Sequence, residues 1–296
     1  MPCAACAPGA APAVALPPII DAHVHFWRFS AAPDEYPWMT PAHAALKRDY
    51  LPADWLAAAA ASGAGALVAV QARQTEAETD FLLGLADAHP FIRGVVGWVD
   101  LRAPPAALGA ALARLAAHPR LVGVRHVVHD EPDDDFLGRA DVRRGVGMLA
   151  AHGLAFDLLL RPRHLRAGAD LAAAFPGTTF VLDHIAKPRV GGPLEPWRAD
   201  LAALAACPNV AVKISGLVTE APPGWAAADF VPYLDAVWAA FGAERVMLGS
   251  DWPVALLNAE SHADAMRVAT AWLEGKGAAA AAVRAGNAER IYRLKP

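Results

Sequence analysis

Charge is scarce in this chain. Asp, Glu, Lys and Arg make up only 19% of its 296 residues, and 26 basic against 30 acidic groups leave a formal net charge of −4. No run of Lys and Arg occurs, so the basic footprint of a nucleic-acid-binding surface is missing. Cysteine is scarcer still: Cys3, Cys6 and Cys207 are the only three. The Cys3-Ala-Ala-Cys6 pair has no second pair with which to complete a thiolate zinc site. Unbroken apolar stretches are also short. The Ala-rich segment 56–70 is interrupted by Ser62, Gly63 and Gly65 and reads as a helix, a Gly stop and a buried strand, not as a membrane span. No Gly-x-Gly-x-x-Gly turn is present, which removes the dinucleotide-binding signature. The first eighteen residues carry no basic group before Arg28, so they lack the positive start of a secretory signal. They read as a loose tail, 1–18, ahead of a domain over 19–296, and a cytoplasmic location is the default expectation.

What is abundant is apolar: 55% of the residues are hydrophobic, enough for a large core. Beyond the tail, short β-branched runs alternate with Ala/Leu-rich amphipathic segments, the pattern of βα units around a buried parallel sheet. About eight strands are expected, near 19–26, 66–72, 92–100, 121–128, 155–161, 179–185, 209–215 and 245–250. Eight repeats in one chain with no long linker favour an α/β, single-domain (β/α)8 TIM-like barrel over an open sheet.

In such a barrel, chemistry sits at the C-terminal ends of the strands. His23 and His25 share one face of the first strand, placed to ligate one metal ion or to hydrogen-bond one oxyanion, while Val24 takes the other face. His184 closes the sixth strand and Asp251 follows the eighth. Each of the last two alone reads as a cap or a structural residue; together with the His pair they place three imidazoles and a carboxylate at one mouth.

These residues resemble the pattern of the amidohydrolase superfamily. The stretches Asp21-Ala-His-Val-His-Phe-Trp27, Leu182-Asp-His-Ile-Ala-Lys-Pro188 and Gly249-Ser-Asp-Trp-Pro-Val254 are similar to its lactonase branch, which acts on sugar-acid lactones and on 2-pyrone-4,6-dicarboxylate. The resemblance implies His23, His25, His184 and Asp251 as catalytic residues and, if a metal is bound, as its ligands. A binuclear site in that superfamily needs a bridging lysine or Glu at a middle strand end. The fifth strand here ends Leu160-Arg161-Pro162, so the resemblance implies either no required cofactor or one divalent metal, zinc first.

Further substrate contacts are expected from Arg125, Arg161, Gln71 and Lys187, with Trp27, Trp38 and Trp252 offering faces to a sugar ring. The bland reading of the arginines is ion pairing with Asp100, Asp130 or Asp157; Lys213 and Ser215 raise the same question. Asp133-Asp134-Asp135 reads as a solvated loop. The resemblance implies hydrolysis of a small-molecule sugar-acid lactone, L-fucono-lactone first, by water activated at Asp251. The rivals are a metal-dependent decarboxylase of the same superfamily and a sugar-acid-binding barrel without turnover.

Overall fold

The computed structural model describes residues 18–295. Cys3, Cys6 and nearly all of the expected tail lie outside the described residues. Eight strands form one sheet in sequence order: β1 (Ile19–Val24), β2 (Ala64–Val70), β3 (Ile92–Gly97), β4 (Leu121–His126), β5 (Ala155–Leu158), β6 (Phe180–Leu182), β7 (Val210–Ile214) and β8 (Val246–Leu248). Every neighbouring pair is parallel. A helix follows each strand: α1 (Pro52–Ala59), α2 (Glu76–Ala88), α3 (Pro105–Ala116), α4 (Ala140–Leu149), α5 (Leu165–Ala174), α6 (Trp197–Ala205), α7 (Val231–Phe241) and α8 (His262–Leu273). This is the expected single (β/α)8 barrel. Among the described residues no helix is long and apolar enough to cross a membrane.

The strand starts fall close to the expected ones, but the strands stop short of the expected ends. The segment expected to run from 179 to 185 pairs only over Phe180–Leu182, because the chain leaves the sheet in a left-handed turn at His184. The sheet closes between β1 and β8. Asp251 N donates to His23 O at 2.9 Å and His25 N to Trp252 O at 2.8 Å. Lower in the same seam, Asp21 accepts from Ser250 N at 2.8 Å and Ser250 Oγ at 2.6 Å, and lies 2.8 Å from His262 Nε2 on α8.

The core has two layers. Between strands and helices lies a large aliphatic and aromatic shell. Inside the barrel a smaller apolar cluster, including Ile20, Ala22, Val68, Val70 and Met247, is floored by Tyr292 and Leu294 from the C-terminal segment. Above it the interior turns polar, with His23, Asp157, Asp183 and Lys213 all fully buried.

One irregularity in β1 makes that change possible. Ile20 and Ala22 point into the barrel while Val24 packs outward, so strict alternation from Ile20 would send His23 and His25 outward. The register against β2 slips by one residue between Asp21 and Val24. The bulge reverses the parity, turning both imidazoles inward while Asp21 stays on the α8 side.

Candidate active site

The two first-strand imidazoles meet, with His23 Nε2 and His25 Nε2 3.2 Å apart. His25 Nδ1 lies 2.8 Å from Val70 O, and since a carbonyl only accepts, His25 donates to it through Nδ1 and turns Nε2 toward the mouth. Asp251 Oδ1 is 3.3 Å from that nitrogen, 3.7 Å from His23 Nε2 and 3.9 Å from His184 Nε2. His184 Nδ1 is held by Ser215 Oγ at 2.9 Å. The structure therefore brings together all four residues of the expected centre, and each is buried.

Delivering His184 requires unusual backbone. His184, Ile185, Ala186 and Lys187 have φ of 53°, 49°, 64° and 53°, and Asp251 has φ of 61°. Left-handed backbone costs a residue with a Cβ roughly 1 kcal/mol or more, and a β-branched one such as Ile185 at the upper end. Burial of Ile185 and Ala186, with a hydrogen bond from Trp197 Nε1 to Ile185 O at 2.9 Å, offsets that cost. Gly216 makes room beneath: a Cβ there would lie 2.6 Å from His184 Nδ1 and 2.8 Å from Asp251 Oδ2.

Arg125, on β4, crosses the barrel. Its NH1 donates to Asp183 Oδ2 at 3.0 Å and approaches His23 Nε2 at 3.1 Å; its NH2 donates to Gln71 O and to Gln71 Oε1, the latter at 3.0 Å. Arg125 is thus paired with Asp183 rather than with the acids anticipated for it. Asp157 instead binds Lys213 Nζ at 2.6 Å, and Lys213 also reaches Asp183 Oδ1 at 3.0 Å.

The electrostatics follow from burial and these pairs. Burial drops His23 and His184 well below the ordinary imidazole value, so both are neutral. Burial alone would raise Asp183, but Lys213, His23 and Arg125 hold it well below the carboxylate range. Asp251 is likewise lowered against the effect of burial, by the adjoining imidazoles and Lys187.

A cleft of about 400 Å³ opens above this centre. Its wall includes His25, Arg125, His184, Lys187 and Asp251, with Trp38 and Glu35 from the loop after β1 and Arg73 from the loop after β2. Other expected contacts are elsewhere. Trp27 and Trp252 are buried at 0% and 2% exposure, packed edge-on around Tyr50, so neither offers a face to the cleft. Trp38 does line it. Gln71 is fully buried and meets the site only by holding Arg125. Arg161 lies outside the cleft wall, half exposed and 3.8 Å from Glu220, an acid other than Asp100, Asp130 or Asp157. Asp183 was missed outright, although it is the acid on which Arg125, Lys213 and His23 converge.

Among the described residues, two sets of donors could hold a metal ion, His23–His25–Asp251 and His23–Asp183–His184. Asp183 in the second is already engaged by two cations. The first fits a divalent ion: His25 Nε2 and an Asp251 carboxylate oxygen face each other 3.3 Å apart at the mouth, and the Val70 carbonyl holds the other ring nitrogen of His25 and so fixes the ring. His184, expected as a fourth ligand, borders that set, its Nε2 3.9 Å from Asp251 Oδ1.

The barrel matches known proteins over most of its length. A chain from Burkholderia multivorans named L-fucono-1,5-lactonase is 42% identical over 289 residues, spanning 93% of this chain and 96% of that one. A Burkholderia ambifaria protein of the same name is 41% identical over 239 residues, 80% of this chain and 81% of that one. A crystal structure of a Burkholderia multivorans amidohydrolase with bound zinc superimposes with a TM-score of 0.86 at 41% identity, covering 94% of this chain and 99% of that one. The family model described as Amidohydrolase matches residues 20–294, from the first strand through the C-terminal segment that floors the barrel, and the chain belongs to that family.

Proposed function

We propose that this chain is a sugar-acid lactone hydrolase acting on L-fucono-1,5-lactone. The observation that carries the reading is Asp251: a carboxylate kept ionised by its neighbours, lining a cleft large enough for one sugar ring, in a chain 41% and 42% identical to two proteins named for that activity.

Asp251 takes a proton from water as the water attacks the lactone carbonyl. A carboxylate held below its usual range is a weak base, and a strained, activated ester tolerates a weak base better than an amide does. His184 donates to the oxyanion as it forms, and the positive charge of the nearby Arg125 guanidinium favours the developing negative charge. Ring opening expels an alkoxide, and Asp251, now protonated, returns its proton to the ring oxygen and is reset. Trp38 covers the apolar face of the ring, and Lys187 binds its hydroxyls or the new carboxylate. A divalent ion held by His23, His25 and Asp251 would supply Lewis acidity toward the carbonyl.

A panel of aldono-1,5-lactones followed by proton release, with and without chelator, tests the reading. Turnover of L-fucono-1,5-lactone above the spontaneous rate is expected. Absence of turnover on every lactone contradicts it, and carbon dioxide release from an unsaturated acid, abolished by chelator, would put the decarboxylase in its place.

A further inference from the structure

Arg73, Arg125 and Lys187 are the strong cations of the cleft wall, and each already faces an acid. Arg125 donates to Asp183 Oδ2 at 3.0 Å. Lys187 Nζ lies 4.0 Å from Glu220, which Arg161 approaches from outside the cleft at 3.8 Å. Arg73, on the loop after β2, is ion-paired with Glu35 on the loop after β1. The acids of the wall are less well matched. Asp130 has His129 beside it at 3.4 Å, but burial drops that imidazole to about 2, so the ring is neutral and the Asp130 charge stands. Asp251 adds a second carboxylate. A ligand carboxylate therefore meets compensated cations and free acids, whereas a ligand hydroxyl can donate and accept along the same wall.

The Arg73–Glu35 pair differs from the other two in that its acid also lines the cleft, while Asp183 and Glu220 sit behind the wall. Arg73 is anchored independently of Glu35. Its guanidinium carbon lies 5.3 Å from the centre of the buried Tyr36 ring, and its Nε is 3.8 Å from Glu78 Oε1. The Arg73 backbone nitrogen also donates to Glu78 at 2.6 Å. Glu78 is a weak counter-charge, because burial pushes its carboxyl up to about 7 and leaves it partly protonated near neutral pH. Glu35 is more than half exposed and supplies the steady negative charge on Arg73. An ion pair so exposed adds little stability, so its place in the cleft wall points to an effect on the ligand.

We propose that Glu35 is a specificity-determining residue: by holding the Arg73 guanidinium it denies the cleft an unpaired cation, so that neutral polyhydroxylated lactones are admitted and lactones bearing a carboxylate are rejected. Selectivity of this kind comes from a repulsive element as much as from an attractive one. L-fucono-1,5-lactone ends in a methyl group, whereas the corresponding monolactone of galactaric acid carries a carboxylate at that carbon. The inference deepens the lactone-hydrolase reading and rests on it for the substrate, while the binding part of the test stands without it.

The test uses the full chain and two open-chain acids, L-fuconate and galactarate, which differ by a methyl group against a carboxylate at one end. Calorimetry measures the binding of each to wild type, to Glu35→Gln and to Glu35→Gln combined with Arg73→Met. Glu35→Gln keeps the side chain's shape and removes its charge, leaving Arg73 under-compensated. Galactarate affinity is expected to rise at least about fivefold, and by more than L-fuconate affinity does. The gain shrinks as salt is raised, and the added Arg73→Met abolishes it. On the lactones, kcat/KM for the galactaric acid monolactone relative to L-fucono-1,5-lactone rises in Glu35→Gln by a similar factor. A pair that only latches the two loops together predicts that both acids weaken together when it is broken. Galactarate affinity that is unchanged or lower in Glu35→Gln, a gain no larger than that of L-fuconate, or a gain that survives Arg73→Met overturns the proposal. A wild type that turns over no lactone defeats the lactone-hydrolase reading instead, and the Arg73-dependent gain in galactarate binding still decides the role of Glu35.

Discussion

Glu78 shows how far one buried carboxyl departs from its ordinary behaviour. It sits in the first turn of α2, accepts from Ala72 N at 3.0 Å and Arg73 N at 2.6 Å, and so fixes the loop that brings Arg73 to the cleft. Burial nevertheless pushes its carboxyl up to about 7, against those hydrogen bonds and the Arg73 charge. Between its ordinary value of 4.5 and about 7, the folded chain keeps a proton that the unfolded chain has released, so this group makes stability fall as pH rises through that window. Glu78→Gln flattens that fall. Thermal midpoints at about pH 5 and about pH 8 should differ less in the variant than in wild type; an equal difference refutes the assignment. Legibility at this scale was uneven. His23, His25, His184 and Asp251 were readable because each is a polar residue at the end of an apolar run. Asp183 was not, since strict alternation puts neighbours on opposite faces and His184 already claimed the inward one. Only the left-handed turn after Asp183 lets both residues reach the same interior. Trp27 and Trp252 were misread because adjacency to a motif in sequence says nothing about which side of the sheet a ring takes.

Two glycines show how tightly the loops after the strands are packed against the site. Gly216, at the end of the β7 segment, has φ of 63° and lies against both His184 and Asp251. Gly216→Ala combines left-handed strain with a Cβ inside contact distance of the His184 and Asp251 side chains. We expect kcat to fall at least about tenfold, with a stability loss of roughly 1–3 kcal/mol; near-normal kcat would mean that His184 and Asp251 tolerate displacement. Gly249 is the counterpart just after β8, where a Cβ would lie 2.8 Å from His23 Cβ. The strand cores were legible from β-branched runs. Their ends were not, because the departure from the sheet is set by side chains such as Asp183 turning into the interior and by the bulge in β1, neither of which leaves a periodic trace.

Across the whole molecule, the barrel and its chemistry share one seam. The hydrogen bonds that close β1 against β8 run through His23, His25, Asp251 and Trp252, and Asp21 anchors the same seam from below through Ser250 and His262. Asp21→Ala leaves Ser250 N, Ser250 Oγ, His262 Nε2 and His23 N without this acceptor, a loss of about 3 kcal/mol or more. The thermal midpoint should drop by several degrees and activity should fall with it, because the turn that carries Asp251 loses its anchor; a variant as stable as wild type would show that the seam closes without Asp21. The eight-fold repeat was legible because each βα unit repeats the same apolar pattern. The seam was not, since it joins residues from opposite ends of the chain. The most direct measurement is proton release from L-fucono-1,5-lactone by wild type and by Asp251→Asn, a substitution that keeps the side chain's shape and removes its charge. The mechanism requires turnover by wild type and a loss of roughly 1,000-fold or more in kcat for a folded Asp251→Asn. A folded variant with kcat near that of wild type would contradict it.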